Sequence, residues 1–460
     1  MELISIPEDL FNKYNLAVPR YTSYPPANFF HDGFAEKDLV AAIESSNSKG
    51  LSNISLYIHI PFCPQKCLYC GCNTHITKDP TLISEYIDAL KKEVDVVSKL
   101  IDSSRKVTQI HFGGGSPTSL NDSNIEDILS VLKTSFSLSP IAELAIECHP
   151  ADLTPERIDY LANLGFNRFS LGVQDFNQTV LDAVRRRVPE LDIAEIVTQI
   201  RKHKGISVNL DLIYGLPLQN ISNFAYTINQ ALAIKPDRLV TFSYAHLPNV
   251  NPNQQSLKRF PIPTPKQKSE LFEFAYQTIT KAGYQAIGFD HFALPTDELS
   301  LAQEAHELHR NFQGYCTRRT TGQVLAFGAS AISQLHTAYA QNTKDVKEYI
   351  STMTRGVIPV SKGYRLSNQE VITREIITQL MCNFKVNWSH MAKQFETGSN
   401  DLRHLIHINS ELLKQLKADK LIIVDSDSVG VTSLGRFFIR HIASAFDPLN
   451  KSGKTFSQNF

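Results

Sequence analysis

Cys63, Cys67, Cys70 and Cys72 fall within ten residues, in the stretch PFCPQKCLYCGCN, while the other three of the chain's seven cysteines lie scattered downstream. Three thiolates spaced C-x3-C-x2-C on one loop can each hold one iron of a [4Fe–4S] cube, whereas a cube ligated wholly by protein needs four. A zinc knuckle pairs two short ligand spacings across a longer insert, and here all four cysteines sit together. A ferredoxin would use Cys72 as a fourth ligand, but its spacing differs and a second cysteine group is expected elsewhere. Disulfides are disfavoured by the odd cysteine total and by an opening, MELISIPEDLFNKYN, with no basic-then-apolar leader.

An iron left without a protein ligand can take one from a small molecule. An amine and carboxylate on one carbon, as in the methionine part of S-adenosylmethionine, can chelate it, and the protein's work is then to bind, orient and seal. The run Gly113-Gly114-Gly115-Ser116-Pro117 suits close backbone approach to such an amino acid. Alone it reads equally as a phosphate nest or a tight turn, and the lysine of a P-loop is missing. Glu147, Gln174, Arg186 and Asp211 offer acceptors for ribose hydroxyls or an ammonium and donors for a carboxylate. Cys148, Cys316 and Cys382 read as small buried hydrophobes, and His203, His404 and His407 as ordinary histidines of helical segments.

These residues need a scaffold, and the sequence supplies a repeating one. Short β-rich runs at 55–60, 107–112, 143–148, 168–173, 208–214 and 239–245 alternate with helix-period segments, among them ISEYIDALKKEVDVVSKL and NIEDILSVLKTSF. Six alternations predict a parallel sheet clad in helices, either a doubly wound sheet or a full or partial barrel. Nearly every run ends in a chemically useful residue, and parallel α/β folds place their sites at the carboxyl ends of strands, so a barrel is favoured. Alternation along the first run puts Tyr57 and His59 on one face, into the barrel, and Leu56, Ile58 and Ile60 on the other.

The 460 residues are more than one core usually supports, so a second, smaller domain is expected. Residues 1–50, with PRYTSYPP, read as an irregular arm, 51–300 as the barrel, and 301–460 as a mostly helical domain whose hairpin and last helix have a winged-helix-like pattern. Lysines plus arginines and aspartates plus glutamates number 46 each, which gives no hint of a nucleic-acid partner. No apolar run reaches membrane-spanning length. The reading is therefore of a protein with neither nucleic acid nor membrane as partner, in a reducing, cytoplasmic setting.

C-x3-C-x2-C followed by a glycine-rich second strand end resembles the radical S-adenosylmethionine superfamily. CGCN, PRYTSYP at 19–25, GVQDFN at 172–177, DLIYGLP at 211–217, YAHLP at 244–248, GFDHFALP at 288–295 and HRNFQGY at 309–315 resemble the bacterial oxygen-independent coproporphyrinogen III oxidase family over nearly the whole chain. The resemblance implies a partial (β/α)6 TIM-like barrel with an N-terminal arm and a smaller, mostly helical C-terminal domain. It implies a [4Fe–4S] cluster on Cys63, Cys67 and Cys70, with Cys72 outside the ligand set, and two S-adenosylmethionine molecules. Tyr57, Tyr69, Gly114, Glu147 and Ile332 would line the first; Gly115, Ser116, Gln174, Arg186, Asp211 and Ala245 would line the second.

Tyr69 stands where that family often has Phe, Ser116 where Thr is commoner, and His75 where an aliphatic residue is frequent; Arg185-Arg186-Arg187 departs further from the family pattern. The implied reaction is oxidative decarboxylation of two propionates of coproporphyrinogen III to vinyl groups, with an electron-donor protein such as a flavodoxin or ferredoxin and a monomeric chain. Tyr57 and His59 are the catalytic candidates, and Arg20, Arg310 and Arg318 the propionate partners. A haem chaperone, a haem-degrading or RNA-modifying radical enzyme, and a metal that only holds the fold are the rival readings.

Overall fold

The chain was analysed as a computed structural model that describes residues 5–49, 53–317, 322–451 and 456. It divides into two compact units, each assembled from separated stretches: residues 31–275 with 319–364, and residues 1–30 with 276–318 and 365–460. The sequence reading drew contiguous segments instead, with limits at 50 and 300.

The larger unit is built on strands β1 (Asn53–Ile60), β2 (Lys106–Gly114), β3 (Leu138–Cys148), β4 (Arg168–Gln174), β5 (Ser207–Tyr214) and β6 (Arg238–Ser243). Each pairs in parallel with the next, and the six fall on the six predicted runs. Helices α1 (Pro80–Ser98), α2 (Asp122–Ser135), α3 (Pro155–Leu164), α4 (Ile193–Ile200) and α5 (Ile221–Ile234) lie between them in the chain. Local chemistry starts these helices. Asp79 accepts from Thr81 N ahead of Pro80, Asn121 from Asn124 N, and Thr154 from Arg157 N ahead of Pro155, satisfying N–H groups that have no partner inside the helix. Gly165, at φ 104°, ends α3 in the left-handed conformation that costs glycine least.

Tyr86, Ile87, Leu90, Val94 and Val97 are buried on one face of α1, and Leu56, Ile58 and Ile60 are buried on β1. Each such side chain contributes roughly 1.5–3 kcal/mol of transfer free energy. The fold is thus a partial (β/α)6 barrel, as the family resemblance implies, built on the parallel sheet that the alternation predicts.

On the β1 side, four strands extend this sheet beyond the predicted six: β7 (Val324–Phe327), β8 (Ile332–Gln334), β9 (Ala338–Asn342) and β10 (Val360–Arg365). β7 joins the free edge of β1 in parallel, and β8 and β9 continue antiparallel. The sequence reading expected helix to dominate after residue 300. These strands are three to six residues long, and several of their buried side chains are polar, among them Ser333, Gln334, Gln341 and Asn342, so alternation is masked.

The smaller unit centres on the helix Asn368–Asn383, with hairpins at 285–293 and 308–317 and a three-stranded sheet of Lys385–Asn387, Ser428–Val431 and Ile422–Val424. The arm is not wholly irregular: Glu8–Tyr14 and Glu36–Lys49 are helices. Its first part is pinned within the smaller unit, where Tyr14 donates to Asp419 and Tyr21 to Asp447, and Arg440 donates to the carbonyls of Val18 and Pro19. His203 and His407 lie just past helix ends rather than within helices. No helix among the described residues is long and apolar enough to cross a membrane.

Candidate active site

The cysteine loop leaves β1 and returns to α1. Its base is closed by a two-residue parallel bridge, Phe62–Cys63 against His75–Ile76, and His75 N donates to Pro61 O at 2.7 Å. Leu68 anchors the middle: it sits in an apolar cluster with Val180, Val184, Ile213, Leu216, Tyr244 and Leu257, and its N–H donates to Val184 O. Asn251 donates to Cys70 O at 2.6 Å, and Gln254 donates to both Tyr69 O and Ala245 O. Tyr69 and Ala245, assigned above to different cofactor molecules, therefore share one amide as a brace.

Cys67 is buried, Cys63 and Cys70 half-buried, and Cys72 exposed. Burial, with Cys70 and Cys67 next to it, pushes the Cys63 thiol up to about 12, while the hydrogen bond from Cys72 brings Cys70 down to about 6. The Arg186 guanidinium reaches Cys67 Sγ at 3.5 Å and also donates to Gly172 O. Of the three consecutive arginines, Arg186 is the one on the cysteine loop; Arg187 pairs with Asp152 at 2.7 Å and Arg185 is exposed.

Among the described residues, no three His, Cys, Asp or Glu side chains are grouped so that they could hold a single metal ion. A cube makes a different demand, since each thiolate meets its own iron. Three neighbouring thiols on one braced loop, with a guanidinium against the Cys67 sulfur, fit that demand.

The wall beside the loop comes from the ends of β1, β2 and β3. Strand register sets Tyr57 beside His111 and His59 beside Gly113. The Tyr57 and His111 rings stack at 5.8 Å, and Tyr57 Oη lies 3.3 Å from His59 Nδ1. His59 Nε2 contacts Asn73 O at 3.1 Å and Ser330 Oγ at 3.4 Å; burial lowers its basicity, which keeps the ring neutral. Burial pushes the Tyr57 hydroxyl well above its usual range, with Glu147 adding to the effect. Glu147 accepts from Gly114 N at 3.2 Å and meets His111 Nε2 at 2.9 Å. A Cβ at Gly115 would lie 2.7 Å from Pro61 O and 2.8 Å from Phe62 O, so the glycine run is a close approach of backbones.

Further round the sheet, Ser116 donates to Asp152, which also accepts from Thr118. Over Gly172, the side chains of Gln174 and Arg186 converge: a Cβ there would lie 2.8 and 3.0 Å from their nitrogens. Gln174 holds a φ of 70°, a strained conformation for a residue with a side chain. Asp211 accepts from Ser170 at 2.9 Å and from Asn209 at 2.8 Å. Ile332 opens β8 half-buried.

In the smaller unit, Arg310 donates to Tyr315 Oη at 3.1 Å, and Arg20 is exposed. Arg318 lies outside the described residues. Sequence reasoning passed over His111, Asn73, Asp152, Asn251 and Gln254. Only His111 left a trace, as the residue two before the glycine run on the face of Tyr57 and His59.

The chain matches the Radical SAM superfamily over residues 57–231 and the HemN C-terminal domain over residues 366–438. The oxygen-independent coproporphyrinogen III oxidase of Synechocystis is 40% identical over 440 residues, covering 95% of this chain and 94% of that protein. That of Escherichia coli is 39% identical over 438 residues, with the same coverage. The solved structure of coproporphyrinogen III oxidase (HemN) from Escherichia coli, described as a radical SAM enzyme, superposes with a TM-score of 0.89 at 37% identity, over 97% of this chain and all of that one. The chain belongs to the family of oxygen-independent coproporphyrinogen III oxidases.

Proposed function

We propose that this chain decarboxylates two propionate side chains of coproporphyrinogen III oxidatively to vinyl groups, giving protoporphyrinogen IX in haem biosynthesis. The observation that carries the reading is the braced Cys63–Cys67–Cys70 loop at the end of β1, set beside the Gly113–Gly115 and Glu147 wall at the ends of β2 and β3. When bound, a [4Fe–4S] cluster with S-adenosylmethionine supplies the 5′-deoxyadenosyl radical that removes a propionate hydrogen.

Cys63, Cys67 and Cys70 are the cluster ligands. Cys72 is a hydrogen-bond donor to Cys70 and not a ligand. Tyr57, Tyr69, Gly114, Glu147 and Ile332 line the S-adenosylmethionine at the cluster, with Glu147 positioned to accept from its ammonium. A second S-adenosylmethionine lies against Gly115, Ser116, Gln174, Arg186, Asp211 and Ala245; Asp211 takes hydroxyl protons and Arg186 a carboxylate. Tyr57 and His59 face the substrate, and the neutral His59 ring can pass or accept a proton there. Arg20, Arg310 and Arg318 hold propionates. An electron-donor protein such as a flavodoxin or ferredoxin, a monomeric chain in the cytoplasm, and no nucleic-acid or membrane partner complete the reading.

The test is anaerobic release of carbon dioxide from coproporphyrinogen III by the reconstituted protein with a reductant, together with equilibrium binding of S-adenosylmethionine. Carbon dioxide release with two S-adenosylmethionine molecules bound per chain supports the reading. Haem binding without carbon dioxide release would replace it with the chaperone reading.

A further inference from the structure

The chain as a whole is electrically balanced, with 46 basic and 46 acidic side chains, but the segments that meet around the cysteine loop are not. Those segments are residues 61–78, which form the loop, residues 183–189, at the end of the helix Gln178–Ala183 and beyond, and residues 241–269, the end of β6 and the connection after it. Together they carry nine Lys and Arg and no Asp or Glu. The chain's average, 46 acids in 460 residues, would put about five there.

Hydrogen bonds join the three segments through the loop. Gln65, which is exposed, donates to Arg185 O at 2.9 Å; Leu68 N donates to Val184 O; Asn251 and Gln254 donate to the carbonyls of Cys70 and Tyr69. Leu68, Val184 and Leu257 share one apolar cluster, with Phe260 packed against it. Residues 215–223 reach the last segment through Leu218 N to Pro261 O at 2.9 Å, and they too hold no acid.

Arg185, Lys258 and Arg259 are exposed, and Lys66 is half-buried. Among the described residues none of the four forms an ion pair; the Arg259 guanidinium lies over the Phe260 ring, 4.8 Å from its centroid. The carboxylates alongside are otherwise placed: Asp152 pairs with Arg187 at 2.7 Å, Asp182 accepts from Gln178 at 2.7 Å, and Glu190 follows the end of its segment. Val188, Leu247 and Val250 give the same segments exposed apolar side chains, Val250 being 80% exposed. Unpaired surface bases are ordinary, but a face cleared of acids and dotted with apolar contacts suits a partner of opposite charge, whose encounter it speeds.

Nucleic acid, an anionic membrane and an acidic protein all have that charge. Position favours the last, because this face is built on the loop whose cysteines would hold the cluster, and cleaving S-adenosylmethionine there takes an electron from outside the chain. We propose that this face, with Arg185, Lys258 and Arg259 as its exposed charges, is where an acidic electron-donor protein docks. This rests on the radical reading above and names the surface that reading leaves open. The donor's flavin, reduced by two electrons, gives up one for each S-adenosylmethionine cleaved to methionine and the 5′-deoxyadenosyl radical.

The experiment uses the reconstituted holoenzyme and an acidic flavodoxin. Binding is read by titration calorimetry, and carbon dioxide release is driven either by the reduced flavodoxin or by dithionite, a small reductant that needs no docking surface. Arg185→Glu/Lys258→Glu/Arg259→Glu is expected to weaken flavodoxin binding at low salt by about tenfold or more, and to lower flavodoxin-driven kcat/KM in parallel. Dithionite-driven turnover stays within about twofold of the parent, and added salt weakens flavodoxin binding by the parent far more than by the variant. Equal flavodoxin affinity in parent and variant, no flavodoxin binding by the parent, or an equal fall in both turnovers overturns the proposal. If the triple variant does not fold, Arg185→Gln/Lys258→Gln decides: a lower ratio of flavodoxin-driven to dithionite-driven turnover supports the proposal and an unchanged ratio ends it. Single-stranded RNA and phosphatidylserine vesicles are titrated alongside, and binding of either as tight as that of flavodoxin, lost in the same variant, also overturns it. A parent that releases no carbon dioxide with dithionite fails the functional reading instead, while the calorimetry still scores the docking face.

Discussion

Glu93 is a carboxylate enclosed by the fold. It projects from α1, is 2% exposed, and accepts from Gly328 N at 2.8 Å, Asn342 Nδ2 at 2.6 Å and Tyr349 Oη at 2.6 Å. Burial pushes its pKa from 4.5 up to about 7, against the three hydrogen bonds, which favour the ionised form. The folded chain therefore holds this proton more tightly than the unfolded chain. Between pH 4.5 and about 7 the folded state binds more protons, so this group's contribution to stability falls as pH rises through that window.

At about 1.4 kcal/mol for each tenfold change in proton affinity, the difference between the two ends of the window is about 3 kcal/mol. Glu93→Gln removes the titration, and a constant cost from its re-paired amide leaves the pH trend untouched. The assay is urea unfolding followed by circular dichroism at pH 5, 6, 7 and 8, for parent and variant. The parent is expected to lose ground to Glu93→Gln by about 2–3 kcal/mol across that series. A parent-to-variant difference that stays flat from pH 5 to pH 8 would refute the reasoning.

Gly115→Ala puts a Cβ against the carbonyls of Pro61 and Phe62 and presses on the Gly115 N–Ile60 O bond of 2.7 Å. Turnover is expected to fall on the order of a hundredfold, from displacement of the glycine run, as measured by carbon dioxide release. Asp152→Ala strips acceptors from Ser116 and Thr118 and leaves Arg187 without its partner. Its unfolding free energy is expected to drop by about 2–4 kcal/mol and its KM for S-adenosylmethionine to rise; a KM equal to the parent's would remove Ser116 from the cofactor site.

The six strands β1–β6 were legible because each is a clean β-rich run followed by a glycine, a proline or a polar residue, with a helical period after it. Strands β7–β10 were not, because short strands carrying buried Ser, Gln and Asn have no alternation to read. The cysteine loop and the glycine run announced themselves by type and spacing. Their supports did not: Gln254 braces Tyr69 from 185 positions away and Asn251 braces Cys70 from 181, contacts that only the folded chain creates. His111 was legible in principle, since it stands two residues before the glycine run, at the position that strand register sets beside Tyr57. Asp152 was not, because a lone aspartate ahead of a helix reads as an ordinary turn residue.

The most direct test of the account's central claim is anaerobic turnover of coproporphyrinogen III by the parent and by Cys67→Ala, each reconstituted with iron and sulfide. The account predicts a broad absorption near 400 nm and protoporphyrinogen IX from the parent, and neither from Cys67→Ala, with both chains folded by circular dichroism. Equal turnover by the two proteins would contradict it.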